Sequence, residues 1–362
     1  MYRPLALSVI LLAIVCKAGS TPAIAASSDT ASVAAGPSST TKSDAPGSIS
    51  SPPGARASAA SSATASDTVH ENRVPNEMGR IMVLEYHLVT DHNGDYARER
   101  NQFRQDLELL YQRDYRPVNM AQVLDRKLDL PRGLSPVVIT FDDASPGQFS
   151  YIEKDGKLEI DPNSGVGIWL NFRKKHPDWD NRAVFCLLSG AAAGRSFFGD
   201  RGIQGQKSAW RFPKVKYLAD NGFELCNHTL WHAQLSKYPD AFVQEQIARE
   251  ALAIDSAVPG YRVRSMGLPQ GLWPKNRALA SKGSWTDPRT GKTVNYSYGA
   301  VFEVGGGPSR SPYDPAFNPL RTPRIQVIGS AIERTMNALE RSGNAYISDG
   351  NPAVVARPGR AP

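Results

Sequence analysis

Short apolar runs alternate with stretches of helical period along most of this chain. Residues 81–86, IMVLEY, read as a buried strand. From Arg98 to Gln112 the apolar side chains Phe103, Leu107 and Leu110 recur at the spacing of one helix face. PVVIT (136–140), AVFCLL (183–188) and FELC (223–226) are three further strands. Between the last two, Pro213 to Asn221 reads as a helix that stops at Gly222, where a left-handed residue ends a helix without a Cβ penalty. Val243, Ile247, Ala251 and Ile254 mark a long amphipathic helix, and strand-like YRVRSM (261–266) and YGAVFEV (298–304) follow. Strands alternating with helices predict an α/β domain whose parallel sheet is covered by helices. The number of units predicts a closed or nearly closed barrel. No internal repeat is visible.

The N-terminal fifth has a different texture. Tyr2 and Arg3 precede an apolar run from Leu5 to Cys16, and Ala23-Ile24-Ala25 places small residues at a signal-peptidase spacing. The run is shorter than the roughly 20 residues a membrane-spanning helix needs. Residues 1–25 are therefore expected to be a signal peptide, leaving no stable membrane span after cleavage; an uncleaved N-terminal anchor is the alternative. Of the 47 residues from Ala26 to Asn72, 36 are Ser, Ala, Thr, Pro or Gly, too few apolar side chains to offset ordering. The expected organisation is a signal peptide (1–25), a disordered linker (26–72), one folded domain (73–350) and a tail (351–362), exported to a periplasm or secreted.

The net charge of +7 falls to +5 once Arg3 and Lys17 leave with the signal peptide. An anionic cell-surface polymer would suit this excess, but no basic run with interleaved aromatics points to nucleic acid. Cys186 and Cys226 survive maturation, both inside predicted strands. Bridge geometry between adjacent strands is demanding, so a buried free pair is expected.

The chemistry collects at strand ends. FELC runs into NHTLWH, which sets His228 and His232 four apart where two ring nitrogens can converge on one metal. Two ligands do not make a site. PVVIT runs into FDD, and the adjacent carboxylates of Asp142 and Asp143 repel unless something positive holds one of them. One could bind a cation while the other stays free to move protons; a helix-capping Asp is the plainer alternative.

TFDD (140–143) and NHTLWH (227–232) resemble the first two motifs of the polysaccharide deacetylase family, the NodB-like carbohydrate esterases. EYHLVTD (85–91), RPVNMAQVL (116–124), LPQG (268–271) and FNPLRTPRIQV (317–327) extend the likeness through most of the domain. The resemblance implies a distorted (β/α) barrel that removes acetyl groups from N-acetylated polysaccharides or oligosaccharides with a divalent metal, usually zinc. Cobalt, nickel or iron would suit the same ligands. It makes Asp143, His228 and His232 the metal ligands and Asp142 the general base.

Where many members read R-P-P-Y-G, this chain reads GLPQG (267–271), so the arginine that orients the base is missing there. Arg324 is a candidate replacement or a structural arginine. The family's C-terminal acid histidine is also missing, since no histidine follows His232. In circularly permuted members, the poly-N-acetylglucosamine deacetylases, the acid histidine precedes TFDD on the first strand. His87 fits that place as general acid; a packed histidine is the alternative. The long stretch from Phe149 to Asp180 is expected to be a lid or groove wall. Two other functions stand beside deacetylation: an amidase acting on non-sugar N-acyl groups through the same metal, and a non-catalytic carbohydrate-binding relative.

Overall fold

The computed structural model describes residues 72–357, so the signal peptide and nearly all of the linker lie outside the described residues. Eight parallel strands form the main sheet: β1 (Met82–Tyr86), β2 (Tyr115–Pro117), β3 (Ser135–Phe141), β4 (Ala183–Leu187), β5 (Glu224–Asn227), β6 (Ser265–Gly267), β7 (Ala300–Gly306) and β8 (Thr322–Gln326). Neighbours in the sheet follow chain order from β3 to β8, and β8 and β3 both pair with β1, closing a barrel of seven strands. β2 lies outside the ring. It pairs with the first half of β3, on the side where β4 pairs with the second half. The expected parallel barrel is therefore present and closed.

Six α-helices accompany the described strands: α1 (Arg100–Gln112), α2 (Met120–Asp125), α3 (Gly165–Lys175), α4 (Arg211–Asp220), α5 (Asp240–Ala257) and α6 (Ala331–Arg341). The two-residue alternation of each strand divides its side chains between two cores. Met82, Leu84 and Tyr86 of β1 pack outward with Phe103, Leu107 and Leu110 of α1. Ile81 and Val83 belong to the other set, with Val138, Val184, Cys186, Cys226, Ala300 and Phe302, which fills the ring.

Most predicted elements recur with boundaries moved by one to three residues, and Gly222 ends α4 at φ 91° as its position suggested. Three readings need correction. YRVRSM is a strand only from Ser265; before it, Arg264 forks onto Asp125 at 2.7 Å twice and the Tyr261 hydroxyl accepts the Leu225 N–H. Its alternating pattern records burial, not pairing. Phe149 to Asp180 is no separate lid: it forms a hairpin (Tyr151–Lys154 with Lys157–Ile160) and then α3. Val166, Ile168 and Trp169 of α3 enter the outer core.

The third correction concerns the cysteines. Cys186 and Cys226 are direct partners in the β4–β5 register, with Cα atoms 4.1 Å apart, and they are joined in a disulfide rather than free. The bridge lies inside the barrel, where both residues are wholly buried. It closes a loop with a sequence separation of 40, and constraining the unfolded chain in this way is worth about 2–4 kcal/mol. The Cys186→Ala, Cys226→Ala double variant should lose that amount in denaturant unfolding, whereas an unchanged midpoint and slope would show that the bridge contributes nothing.

Candidate active site

The site is built where β1, β3 and β5 end. Register sets Tyr86 of β1 beside Phe141 of β3, so the next residues, His87 and Asp142, leave the barrel at the same level. The Gln148 side-chain amide donates to the carbonyl oxygens of both His87 and Asp142, tying the two strand ends together. Asp143 and Ala144 then take φ of 77° and 46°, two successive left-handed residues without a glycine. Such backbone is costly and persists only where its surroundings fix it.

The histidine loop is held as firmly. Asn227 accepts the Thr229 N–H and donates to Ile247 O and the Tyr298 hydroxyl, while Thr229 Oγ1 accepts the Ala233 N–H. Both side chains fix the geometry of the loop. His228 Nδ1 donates to Gly267 O at 2.8 Å, which leaves Nε2 aimed at the site. A side chain at Gly267 would crowd His228 and the disulfide sulfur of Cys186, so glycine is needed there.

Asp143 Oδ1 lies 3.5 Å from His228 Nε2 and 3.4 Å from His232 Nε2. Two atoms bound to one zinc at about 2.1 Å and a tetrahedral angle stand about 3.4 Å apart. Asp143 Oδ1 and His228 Nε2 are also buried without a hydrogen-bond partner. Spacing, donor type and orphaned atoms together fit a tetrahedral metal with a fourth position open. The other oxygen of Asp143 is 3.4 Å from Arg195, a contact the sequence gave no reason to expect; it turns one carboxylate oxygen toward the imidazoles and engages the second.

Asp142 is handled differently. Arg324, wholly buried, forks onto it with Nη1 on Oδ1 and Nη2 on Oδ2, both at 2.8 Å. Arg324 thus orients Asp142 from β8 rather than from the GLPQG loop after β6. Nη2 also donates to Glu85 Oε1 at 2.9 Å, and Glu85 Oε1 stands 3.7 Å from His87 Nε2. Glu85, His87 and Asp142 form a second cluster of ligand-like atoms, but a guanidinium already supplies its cation. Sequence reading missed Glu85, whose only signal was an acid inside an apolar strand.

Burial alone would raise the pKa of Asp142; the charges of Arg324 and His228 overcome it and hold the carboxyl well below the usual range. Burial also raises Glu85, and here it prevails over Arg324, pushing the group up to about 7. One cation shared by two buried acids leaves Asp142 ionised and lifts Glu85 into the neutral range. Burial lowers His87, with Asp142 and Asp143 partly offsetting it, and burial with the charge of His228 brings His232 down to about 4. His228 moves the other way: burial opposes its charge, but Asp142 and Asp143 hold it above the ordinary 6.5. Of the remaining histidines, His92 lies in a loop, His176 packs against Tyr111 and Phe172, and His70 is outside the described residues.

The family model described as polysaccharide deacetylase matches residues 178–283, which include His228, His232 and Gly267 but neither aspartate. No curated protein matches the chain. Among solved structures, BA0330 from Bacillus anthracis, assigned to the polysaccharide deacetylases, is 15% identical with a TM-score of 0.50, covering 72% of this chain and 68% of that one. The Streptococcus pyogenes deacetylase PplD, solved with acetate, is likewise 15% identical with a TM-score of 0.50, over 71% of this chain and 98% of its own. IcaB from Ammonifex degensii is 18% identical with a TM-score of 0.47, over 72% and 96%. None of these matches establishes a permuted strand order.

Asp142 and Asp143 raise the pKa of His228 above its ordinary value, so zinc competes with a proton there. Zinc affinity should therefore weaken as pH falls, with net proton release on binding. Calorimetry in buffers of different ionisation enthalpy measures the release; no proton release would contradict the assignment of His228. In a stretch of its sequence and in its fold, the chain is related to the polysaccharide deacetylases.

Proposed function

We propose that this chain is an exported, metal-dependent deacetylase that hydrolyses the N-acetyl groups of an amino-sugar polymer. Asp143, His228 and His232 hold the metal, Asp142 is the general base and His87 the general acid. The observation that carries this reading is the unequal treatment of two adjacent aspartates. Asp143 presents an unpaired oxygen to two imidazoles, whereas Asp142 is clamped by a buried arginine.

A bound divalent ion would acidify water and polarise the acetamide carbonyl. Asp142 Oδ2 faces that position, 3.9 Å from His228 Nε2, and takes the proton as water attacks. Arg324 keeps the carboxylate charged and aimed; a lower basicity is the cost, and a fixed orientation offsets it. Hydrolysis also needs a proton on the departing amine nitrogen. His87 stands beside Asp142 at the end of β1, with Glu85 behind it; its lowered pKa makes the protonated ring the minor form near neutrality and the stronger acid, and that form delivers the proton as the carbon–nitrogen bond breaks. A pure sugar-binding relative would have no use for a charged base beside its metal. Export rests on the leader; no described helix is long and apolar enough to cross a membrane.

Asp142→Asn should retain metal and lose about a hundred- to ten-thousandfold in acetate release from N-acetylglucosamine oligomers. Asp143→Asn should lose the metal itself, and a strong chelator should abolish wild-type turnover until zinc or cobalt is restored. Metal analysis beside turnover decides this: loss of metal in Asp142→Asn with retention in Asp143→Asn would exchange the two roles. Turnover by rigorously metal-free protein would end the metal reading.

His87→Ala should keep fold and metal, lose most amide hydrolysis, and lose far less against an aryl acetate, whose leaving group needs no proton. Equal losses on amide and activated ester would return His87 to a packing role.

A further inference from the structure

A lysine buried without an acid beside it is costly, and α4 carries one. Lys214 is wholly buried, and burial brings its amine down from the ordinary 10.5 to about 7. Its Nζ donates to Phe198 O at 2.7 Å and stands 5.9 Å from the centre of the Tyr151 ring. Phe198 belongs to the loop that follows β4, where Phe197, Phe198 and Gly199 take φ of 46°, 67° and 103°. Two aromatic residues adopt such left-handed backbone only when their surroundings hold them there. Both rings are buried, and that of Phe198 packs against Phe149 and Phe185. The loop in turn reaches the site at two points: Phe198 N–H donates to Ala144 O at 2.8 Å, and Arg195 contacts Asp143. Asp143 and Ala144 are the two left-handed residues of the strand-end turn, so one strained segment braces another. Phe197 N–H is tied back to Leu188 O at 2.9 Å, and a Cβ at Gly199 would strike Gln206.

We propose that Lys214 is a positioning residue for the metal site: by holding Phe198 from within the core it fixes the Ala144 carbonyl, and through it the direction in which Asp143 presents its oxygen. This rests on the assignment of Asp143 as a metal ligand. The chain of contacts is short, running from Lys214 Nζ to Phe198 O, from Phe198 N–H to Ala144 O, and then back along the backbone to Asp143. For stability alone an apolar side chain would serve better. The fall of the amine to about 7 penalises its charged form roughly a thousandfold, whereas one hydrogen bond returns about tenfold. A residue that lowers stability is expected where function needs the geometry it imposes. Methionine at this position should therefore stabilise the metal-free fold while loosening the turn that aims Asp143.

The test measures three quantities in wild type, Lys214→Met and Lys214→Gln: zinc affinity by calorimetry, acetate release from N-acetylglucosamine oligomers, and the melting temperature of zinc-free protein. Lys214→Met keeps an unbranched apolar stem and removes the donor. It should melt at or above the wild-type temperature, weaken zinc binding roughly three- to tenfold, and recover most of its turnover in excess zinc. Lys214→Gln, with a donor on a shorter stem, should fall between the two in zinc affinity. Lys216→Met, on the exposed face of the same helix, should leave zinc affinity and turnover unchanged. Wild-type zinc affinity in Lys214→Met, a lower melting temperature accompanying the loss, or turnover that excess zinc does not recover would overturn the proposal and make Lys214 a packing residue. So would failure of both Lys214 variants to fold. Asp143→Asn serves as the reference: wild-type zinc affinity in that variant would reject the metal assignment itself, whereas loss there with no change in Lys214→Met rejects only the role of Lys214.

Discussion

Everything at this site depends on one buried guanidinium. Arg324 has five N–H donors, and all five are used inside the barrel: Nε on Glu303 O, Nη1 on Thr140 Oγ1 and Asp142 Oδ1, Nη2 on Glu85 Oε1 and Asp142 Oδ2. A charge so placed is tolerable only because every donor has an acceptor and a carboxylate stands opposite. The consequences run outward. Asp142 is ionised and fixed, so its neighbour Asp143 is free to turn its own oxygen toward His228 and His232. Glu85, the second acid on the same cation, is the one whose pKa rises.

Barrel closure makes this arrangement possible. Arg324 and Glu85 lie on adjacent strands, with Glu85 in register with Gln326, and Thr140 lies on the strand at the other side of β1. Two-residue alternation points all three into the ring. Below them the Cys186–Cys226 bridge and Gly267 support His228 from the opposite wall. Polar chemistry at one end of the barrel and a covalent bridge within it are thus parts of one packing solution.

The sequence revealed what is local and hid what is assembled from distant strands. Asp142 and Asp143 are consecutive, and His228 and His232 share one loop, so strand-end position and spacing exposed them. His87 was visible because it follows an apolar run and no later histidine competes for its role. Arg324 could be suspected only as a missing arginine; its position opposite Asp142 requires the β8–β1–β3 neighbourhood, which no spacing encodes. Glu85, Arg195 and the disulfide were missed or misjudged for the same reason. The YRVRSM segment failed differently: alternation reports which side chains face the core, and Tyr261 and Val263 are half-buried against it while Arg262 is exposed, without these residues belonging to the sheet.

Diffraction from crystals soaked in zinc, recorded at the zinc absorption edge, would test the division between the aspartates most directly. The ion should be bound by Asp143 Oδ1, His228 Nε2 and His232 Nε2, with both oxygens of Asp142 still on Arg324 and none on the metal. Zinc bound by Asp142, or lodged among Glu85, His87 and Asp142, would contradict the account.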